Sequence, residues 1–417
     1  MKIGIIGLGD MGKLFARVWA EKGYEVYGCD IASNTVALRE ALPAIRVLND
    51  AVAVSRISDI IMYAVETERI AEVAELAGPS TKFGAIVTGQ TSVKTPEVFA
   101  FEKYLPQDAQ IVGSHALFGP SISPEGEIVA MYRHRCSDEA FELVKKLYLH
   151  TGARVEELES YRAHDQMMAD IQVITHVGFE SLGTAFMHRK AYPWEDKSQI
   201  QGIDNIKLLL TLRIFSYKPH VYSGLAFENP FAIRDVRKFA QIENELFGRM
   251  ITGNRQQLER RVLEARDKVF SGFREKMMLD DSLMREYTLN PGSNHKPNSH
   301  LSLLTMVCTW ADLGIDPYKN MVCQTPPFRL RVGLAEYLFC NENLLRESLH
   351  TALTDTSNYM DDLAYHTAVH EWTNILEIGD KRTYEKHFTA TSRFLADRLQ
   401  EGREKSTLLL NRLNHDK

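Results

Sequence analysis

Cysteine is scarce: five in 417 residues (Cys29, Cys136, Cys308, Cys323, Cys340), an odd and scattered number. No two form a CxxC pair, which argues against a structural zinc site and leaves metal ligands unassigned. Free thiols without a secretion signal fit a reducing, cytoplasmic compartment. Long apolar runs are also missing. Nothing approaches the roughly 18 consecutive apolar residues of a membrane span, so no membrane partner is expected. A basic excess is absent as well. The net charge of −6 argues against a general nucleic-acid binder. What remains is an ordinary globular balance, 44% hydrophobic and 25% charged, long enough for two or three domains.

Strand and helix signals alternate from residue 1 to about 155. Lys2–Ile6 is a short apolar run of the buried parallel-strand type, and Tyr24–Asp30 reads as a second strand. Further strands are expected at 57–64, 84–87 and 109–113, with a helix over 13–21. This rhythm predicts an α/β Rossmann domain with a doubly wound, mostly parallel sheet. Beyond Tyr161 helical periodicity dominates. Helices are expected at 162–187, 205–217, 231–250 and 255–273, with a loop over 290–298. From 300 to 410 the chain again reads as helical, with turns near 314–317 and at Pro326-Pro327. The expected division is a nucleotide-binding domain over 1–158 and an all-α domain over 159–417, with the substrate cleft between them. The apolar helix at 162–187 is the candidate core of a homodimer interface.

Gly7, Leu8, Gly9, Asp10, Met11 and Gly12 form G-x-G-x-x-G between the first strand and the first helix. In that context Gly7 permits the tight turn, Gly9 the approach of a pyrophosphate and Gly12 close helix packing. The helix N-terminus adds free N–H groups and a positive dipole end. Asp30, at the end of the second strand, is placed to accept from a ribose 2′-hydroxyl, which favours NAD. Ser33, Asn34 and Arg39 could still meet a 2′-phosphate, so this stretch leaves NAD and NADP open.

Three further segments carry polar groups where strands meet loops: 89–94, 113–120 and 163–172. Taken singly, each has a bland reading. His115 could be a packing residue, and His164 and Asp165 read as stabilising the start of the long helix. Arg133-His134-Arg135 reads as a solvated face. Arg213, in a mostly apolar helix, must pair with an anion or reach solvent, because an unpaired buried charge is costly.

Taken together, the pattern resembles prephenate dehydrogenases. The residues that carry the resemblance are Gly7–Gly12, Ser92-Val93-Lys94, His115–Pro120, His164-Asp165-Gln166, Ile171-Gln172, His176, Arg213 and Tyr222, in that order. Ala116 stands where the usual His-Pro-x-x-Gly pattern has proline, which is similar to the fungal, NADP-linked branch. The segments 192–194, 297–304 and 314–318 resemble that branch too. The resemblance implies oxidative decarboxylation of prephenate to 4-hydroxyphenylpyruvate in tyrosine biosynthesis, with NADP reduced. It implies His115 as general base and Ser92 as the hydroxyl at the reacting centre. Arg213 and Lys94 would hold the substrate carboxylates, with Lys207 a weaker candidate, and His176 and Tyr222 would line the pocket. Arogenate dehydrogenase is the nearest rival. A β-hydroxyacid dehydrogenase shares the architecture but expects a catalytic lysine on the first long helix, where this chain has His164, Asp165 and His176. A non-catalytic dinucleotide sensor would show no turnover.

Overall fold

The computed structural model describes residues 1–120, 122–271, 277–320 and 325–415. The chain divides into two compact units: Met1–Gln166 with Glu228–Pro230, and Met167–Phe227 with Phe231–Lys417.

The first unit is built on an eight-stranded sheet: β1 (Lys2–Ile6), β2 (Glu25–Cys29), β3 (Arg46–Val47), β4 (Ile60–Tyr63), β5 (Ile86–Gly89), β6 (Gln110–Ala116), β7 (Ile128–Arg135) and β8 (Arg154–Glu157). Its spatial order is β3-β2-β1-β4-β5-β6-β7-β8. The first six strands are parallel, the doubly wound order of dinucleotide-binding folds. Successive side chains of a strand leave opposite faces of a sheet, and both faces here are covered. Ile3, Ile5, Ile60 and Met62 join a core with Phe15, Trp19 and Tyr148. Ile6, Ile61 and Tyr63 join another with Val54, Ile70 and Phe101.

The strand expected from residue 57 starts later because Ala51–Ile57 is a helix, capped by Asp50, whose Oδ1 accepts from Ala53 N at 2.7 Å. The strand expected to end at Gly113 runs on to Ala116, so His115 lies inside β6, opposite Ala130. β3, β7 and β8 were not anticipated. β7 returns antiparallel to β6, and β8 pairs parallel to β7. The Arg133-His134-Arg135 cluster at the end of β7 is ion-paired: Arg133 with Glu157 and Asp138, His134 and Arg135 with Glu102. Both edge strands are short. β3 has two residues, and β8 is four residues with Arg154, Glu156 and Glu157 exposed.

The second unit is helical. Helix Tyr161–Met168, in which the unit boundary falls, passes through a π turn at Ala169–Val173 into helix Ile174–Arg189. Helices follow at Gly202–Phe215, Pro219–Glu228, Ala232–Ile251 and Arg255–Phe270, and from Leu301 onward to His415. The end of the helix expected at 255–273 lies partly outside the described residues. Pro326-Pro327, expected as a turn, opens helix Pro326–Cys340 instead, a position where a missing N–H costs nothing.

Helix Ile174–Arg189 corrects one expectation. Its burial is complete within one chain, against helices Tyr359–Ile378 and Gly202–Phe215. Gly183 gives Phe215 room, since a Cβ there would stand 2.3 Å from that ring. Trp372 Nε1 donates to the buried Thr184 hydroxyl at 3.1 Å. This helix therefore needs no second subunit to cover it. Cys29, Cys136, Cys308 and Cys340 are free thiols; Cys323 lies outside the described residues. Among the described residues no helix is long and apolar enough to cross a membrane.

Candidate active site

The glycine turn joins β1 to helix Asp10–Glu21. Gly7 has φ +97°, and a Cβ there would stand 2.5 Å from the Ala64 carbonyl oxygen. A Cβ on Gly12 would fall 2.0 Å from the Gly7 oxygen, while one on Gly9 would meet nothing within 4 Å. Gly7 and Gly12 are thus demanded by the fold itself. Gly9, at the helix N-cap, opens onto free space where the helix dipole favours an anion. Leu8 turns its side chain into the core. Asp10 and Met11 begin the helix, Asp10 exposed and Met11 packed against the first core.

Asp30 braces this turn. Its Oδ2 accepts from Leu8 N at 2.7 Å, and its Oδ1 from Ile31 N at 2.8 Å and Asn34 Nδ2 at 3.1 Å. The Leu8 N–H, expected to serve a cofactor, is therefore already committed to Asp30. Arg39 turns to Val47 O and Asn49 Oδ1.

The bend between β5 and helix Lys94–Tyr104 holds Ser92, half-buried, and Lys94, fully buried. Lys94 Nζ donates to Gly89 O at 3.1 Å and to both carboxylate oxygens of buried Glu97, at 2.9 and 3.0 Å. Glu97 Oε2 also accepts from Thr91 Oγ1 at 2.7 Å. Gly89 makes room for this pair, because a Cβ there would lie 2.1 Å from Glu97 Oε2. Burial drives the Lys94 pKa down and Glu97 opposes that shift. Lys94 is an internal ion pair, which corrects its assignment as a substrate-binding cation: its charge is spent on Glu97, away from solvent.

The same helix leads to the base. Its first two N–H groups, Lys94 N and Thr95 N, donate to Asp165 Oδ1 and Oδ2 at 2.7 and 2.8 Å, and Thr95 Oγ1 donates at 2.7 Å. Asp165 thus caps the Lys94 helix rather than its own, whose start is served by Ser160 Oγ, accepting from Ala163 N at 3.2 Å. His164 Nδ1 lies 2.9 Å from Asp165 Oδ1, and His164 Nε2 lies 2.9 Å from His115 Nδ1. All these groups belong to the first unit. The chain fixes the tautomers by elimination. A carboxylate surrounded by donors accepts from His164 Nδ1–H, so His164 Nε2 is an acceptor. His115 Nδ1 then carries the proton, and His115 Nε2 keeps its lone pair. Burial first, then the neighbouring His164 and Lys94, hold the His115 pKa well below 6.5. Burial lowers His164 too, against the pull of Asp165. Both rings are neutral at pH 7. The adjoining Gln90 is locked, its Oε1 accepting from Ala116 N at 3.0 Å and its Nε2 donating to Tyr148 OH at 2.6 Å.

The remaining expected residues belong to the second unit. The His176 ring meets Tyr222 edge-on, centroids 4.9 Å apart, and leans on Phe328 at 5.8 Å. Burial and then the Arg331 charge push the His176 pKa well below 6.5. Arg213 is half-buried; its Nη1 donates to Thr407 Oγ1 at 3.0 Å and its guanidinium lies 5.6 Å from the Tyr217 ring centre. Among the described residues these partners are neutral, so the internal salt bridge considered for Arg213 is not formed. Lys207 is buried against Asp204 Oδ1 at 2.8 Å and His300 Nδ1 at 3.0 Å, and so it too is no free cation. Arg331 escaped the sequence reading. It is buried, donates to Thr175 Oγ1 at 3.0 Å and lies 4.4 Å from the Phe328 ring centre. Nothing in its local sequence sets it apart from other helix-face arginines.

Residues 15–157 match the family of prephenate dehydrogenase nucleotide-binding domains, and residues 173–415 match a 6-phosphogluconate dehydrogenase C-terminal domain family. The chain is 39% identical, over 99% of its length and 97% of the relative's, to a probable prephenate dehydrogenase [NADP(+)] of Schizosaccharomyces pombe. It belongs to the prephenate dehydrogenase family. A second family member, the prephenate dehydrogenase [NADP(+)] of Saccharomyces cerevisiae, is 39% identical over 96% of the chain and 91% of the relative. The prephenate dehydrogenase fold is shared with the crystal structure of the A. aeolicus enzyme in complex with hydroxyphenyl propionate and NAD+. That likeness has a TM-score of 0.52 at 21% identity and covers 62% of this chain and 94% of that one.

Proposed function

We propose that this protein is an NADP-dependent prephenate dehydrogenase in which His115 Nε2 is the general base. The relay from Asp165 through His164 carries that assignment, because it leaves His115 neutral with its outer nitrogen unprotonated. In the proposed reaction His115 takes the proton of the substrate C4 hydroxyl. NADP, when bound at the glycine turn, accepts the hydride from C4. The bond to the ring carboxylate breaks, CO2 leaves, and its electron pair passes into the ring and the C4 oxygen. His115 returns the proton there, giving 4-hydroxyphenylpyruvate. Aromatisation supplies the driving force. Ser92 is assigned to the C4 oxygen, Arg213 to a substrate carboxylate, and His176 and Tyr222 to the ring pocket. The cytosol as compartment, and a homodimer formed through the helical domain, complete the proposal.

The deciding experiment measures reduction of NADP and of NAD with prephenate and with arogenate in parallel. Prephenate with NADP is expected to give the highest kcat/KM. Faster turnover of arogenate would assign the enzyme to the rival reaction.

Two variants test the assigned sites. Arg213→Gln is expected to raise KM for prephenate and leave KM for NADP unchanged. Loss of a charge-assisted pair to a buried carboxylate costs about 2–5 kcal/mol, which is roughly 30-fold or more. An unchanged KM would return Arg213 to a purely structural role. Asp30→Ala removes the acceptor of the Leu8 N–H. Hydrogen bonds to charged groups contribute about 1.5–3 kcal/mol, so KM is expected to rise roughly tenfold or more for NADP and NAD alike. Without the brace, relief of 2′-phosphate repulsion alone would improve NADP selectively, and steady-state kinetics with both cofactors separates the two outcomes.

A further inference from the structure

We propose that Glu243, His366 and His370 form a site for one divalent transition-metal ion of the zinc class, joining helix Ala232–Ile251 to helix Tyr359–Ile378. The site lies wholly within the second unit and is independent of the proposed reaction. His366 and His370 are four residues apart, one above the other on a helix face. Glu243 faces them from the neighbouring helix. Its Oε2 lies 2.7 Å from His366 Nδ1 and 3.6 Å from His370 Nε2. One ligand atom from each residue falls within 4.8 Å of the other two.

Two imidazoles and a carboxylate are a borderline donor set suited to zinc, cobalt or iron(II), which bind such ligands at about 2.0–2.2 Å. The hydrogen-bond accounting points the same way. Glu243 is fully buried, yet among the described residues its Oε1 has no hydrogen-bond partner, and neither has His370 Nε2. A buried carboxylate with an orphaned oxygen is costly, and one cation would satisfy both orphans. The imidazoles remain 23% and 37% exposed, so an ion can enter from solvent and keep water in its open positions. Phe247 stacks on His366 with ring centres 4.6 Å apart and holds that ring in place. The neighbouring group on the same helix, Glu371 with His188 at 3.2 Å and His387 at 3.5 Å, provides an internal control.

The test titrates chelator-stripped full-length protein with Zn(II) by calorimetry and with Co(II) by visible absorption. One tight equivalent per chain is expected, together with a Co(II) ligand-field band and a higher melting temperature in Zn(II). Loss of an outer-sphere partner alone weakens metal sites by about 10–100-fold, so removing a ligand in His370→Asn should weaken binding by more than that. Glu243→Gln should do the same. His188→Asn should leave stoichiometry, affinity and band unchanged, and His370→Asn should keep normal kcat/KM. His370→Gln repeats the measurement if the asparagine variant fails to fold. Absence of tight binding in the wild type would overturn the proposal, as would loss of binding in His188→Asn but not in His370→Asn.

Discussion

His115→Asn is expected to lower kcat for prephenate by about 10²–10⁴-fold, the usual contribution of general-base catalysis, with little change in KM. The variant keeps a polar side chain of similar size but removes the titrating nitrogen. The wild-type pH profile sharpens the test. A base works unprotonated, and burial holds the His115 pKa well below 6.5. The acid limb of kcat is therefore expected below pH 6.5, with activity level across the neutral range, and it should vanish in the residual activity of the variant. The same sign governs stability. The unfolded histidine takes up protons near pH 6.5 while the folded one does not. The contribution of neutral His115, His164 and His176 is thus present above that pH and lost as it falls. An asparagine variant with near-normal kcat and an intact acid limb would move the base to His176.

Lys94→Met is expected to damage stability rather than substrate binding. It leaves the Glu97 carboxylate buried without its cation. Breaking a buried pair from one side costs about 3–5 kcal/mol. At roughly 2–4 °C per kcal/mol for a unit of this size, melting should fall by about 6–20 °C. The double variant Lys94→Met/Glu97→Gln should recover much of the loss, because no uncompensated charge remains. A variant with unchanged melting and a sharply raised KM for prephenate would mean that Lys94 meets the substrate after all.

These two residues mark how far the sequence was legible. The glycine turn, β1, β2 and the helical second half followed from local periodicity and spacing, because a G-x-G-x-x-G turn is specified by its own residues. His115 stood out through the family pattern, but its partners did not. Asp165 caps a helix that begins 71 residues earlier, and no local rule reaches that far. Lys94 and Glu97 stand three apart, a helix-face pairing readable in principle. What the sequence withheld was their burial, which turns a substrate cation into an internal strut. β7 was hidden for another reason: its apolar half, Ile128–Tyr132, leads straight into three basic residues that look like surface. Arg331 became visible only through the fold, which sets it against Thr175, 156 residues away.

The short ends of the sheet carry a consequence for assembly. An open sheet can grow by accepting a strand from a second copy, and long, flat, apolar edges invite it. Here β3 offers two residues for pairing, and β8 sets Arg154, Glu156 and Glu157 against solvent. Any strand added at β8 would have to dock along a row of mixed charge, and one added at β3 would find almost no backbone to bond. Self-association by sheet extension is thus closed at both margins, so a stable second copy has to be recruited by helix packing.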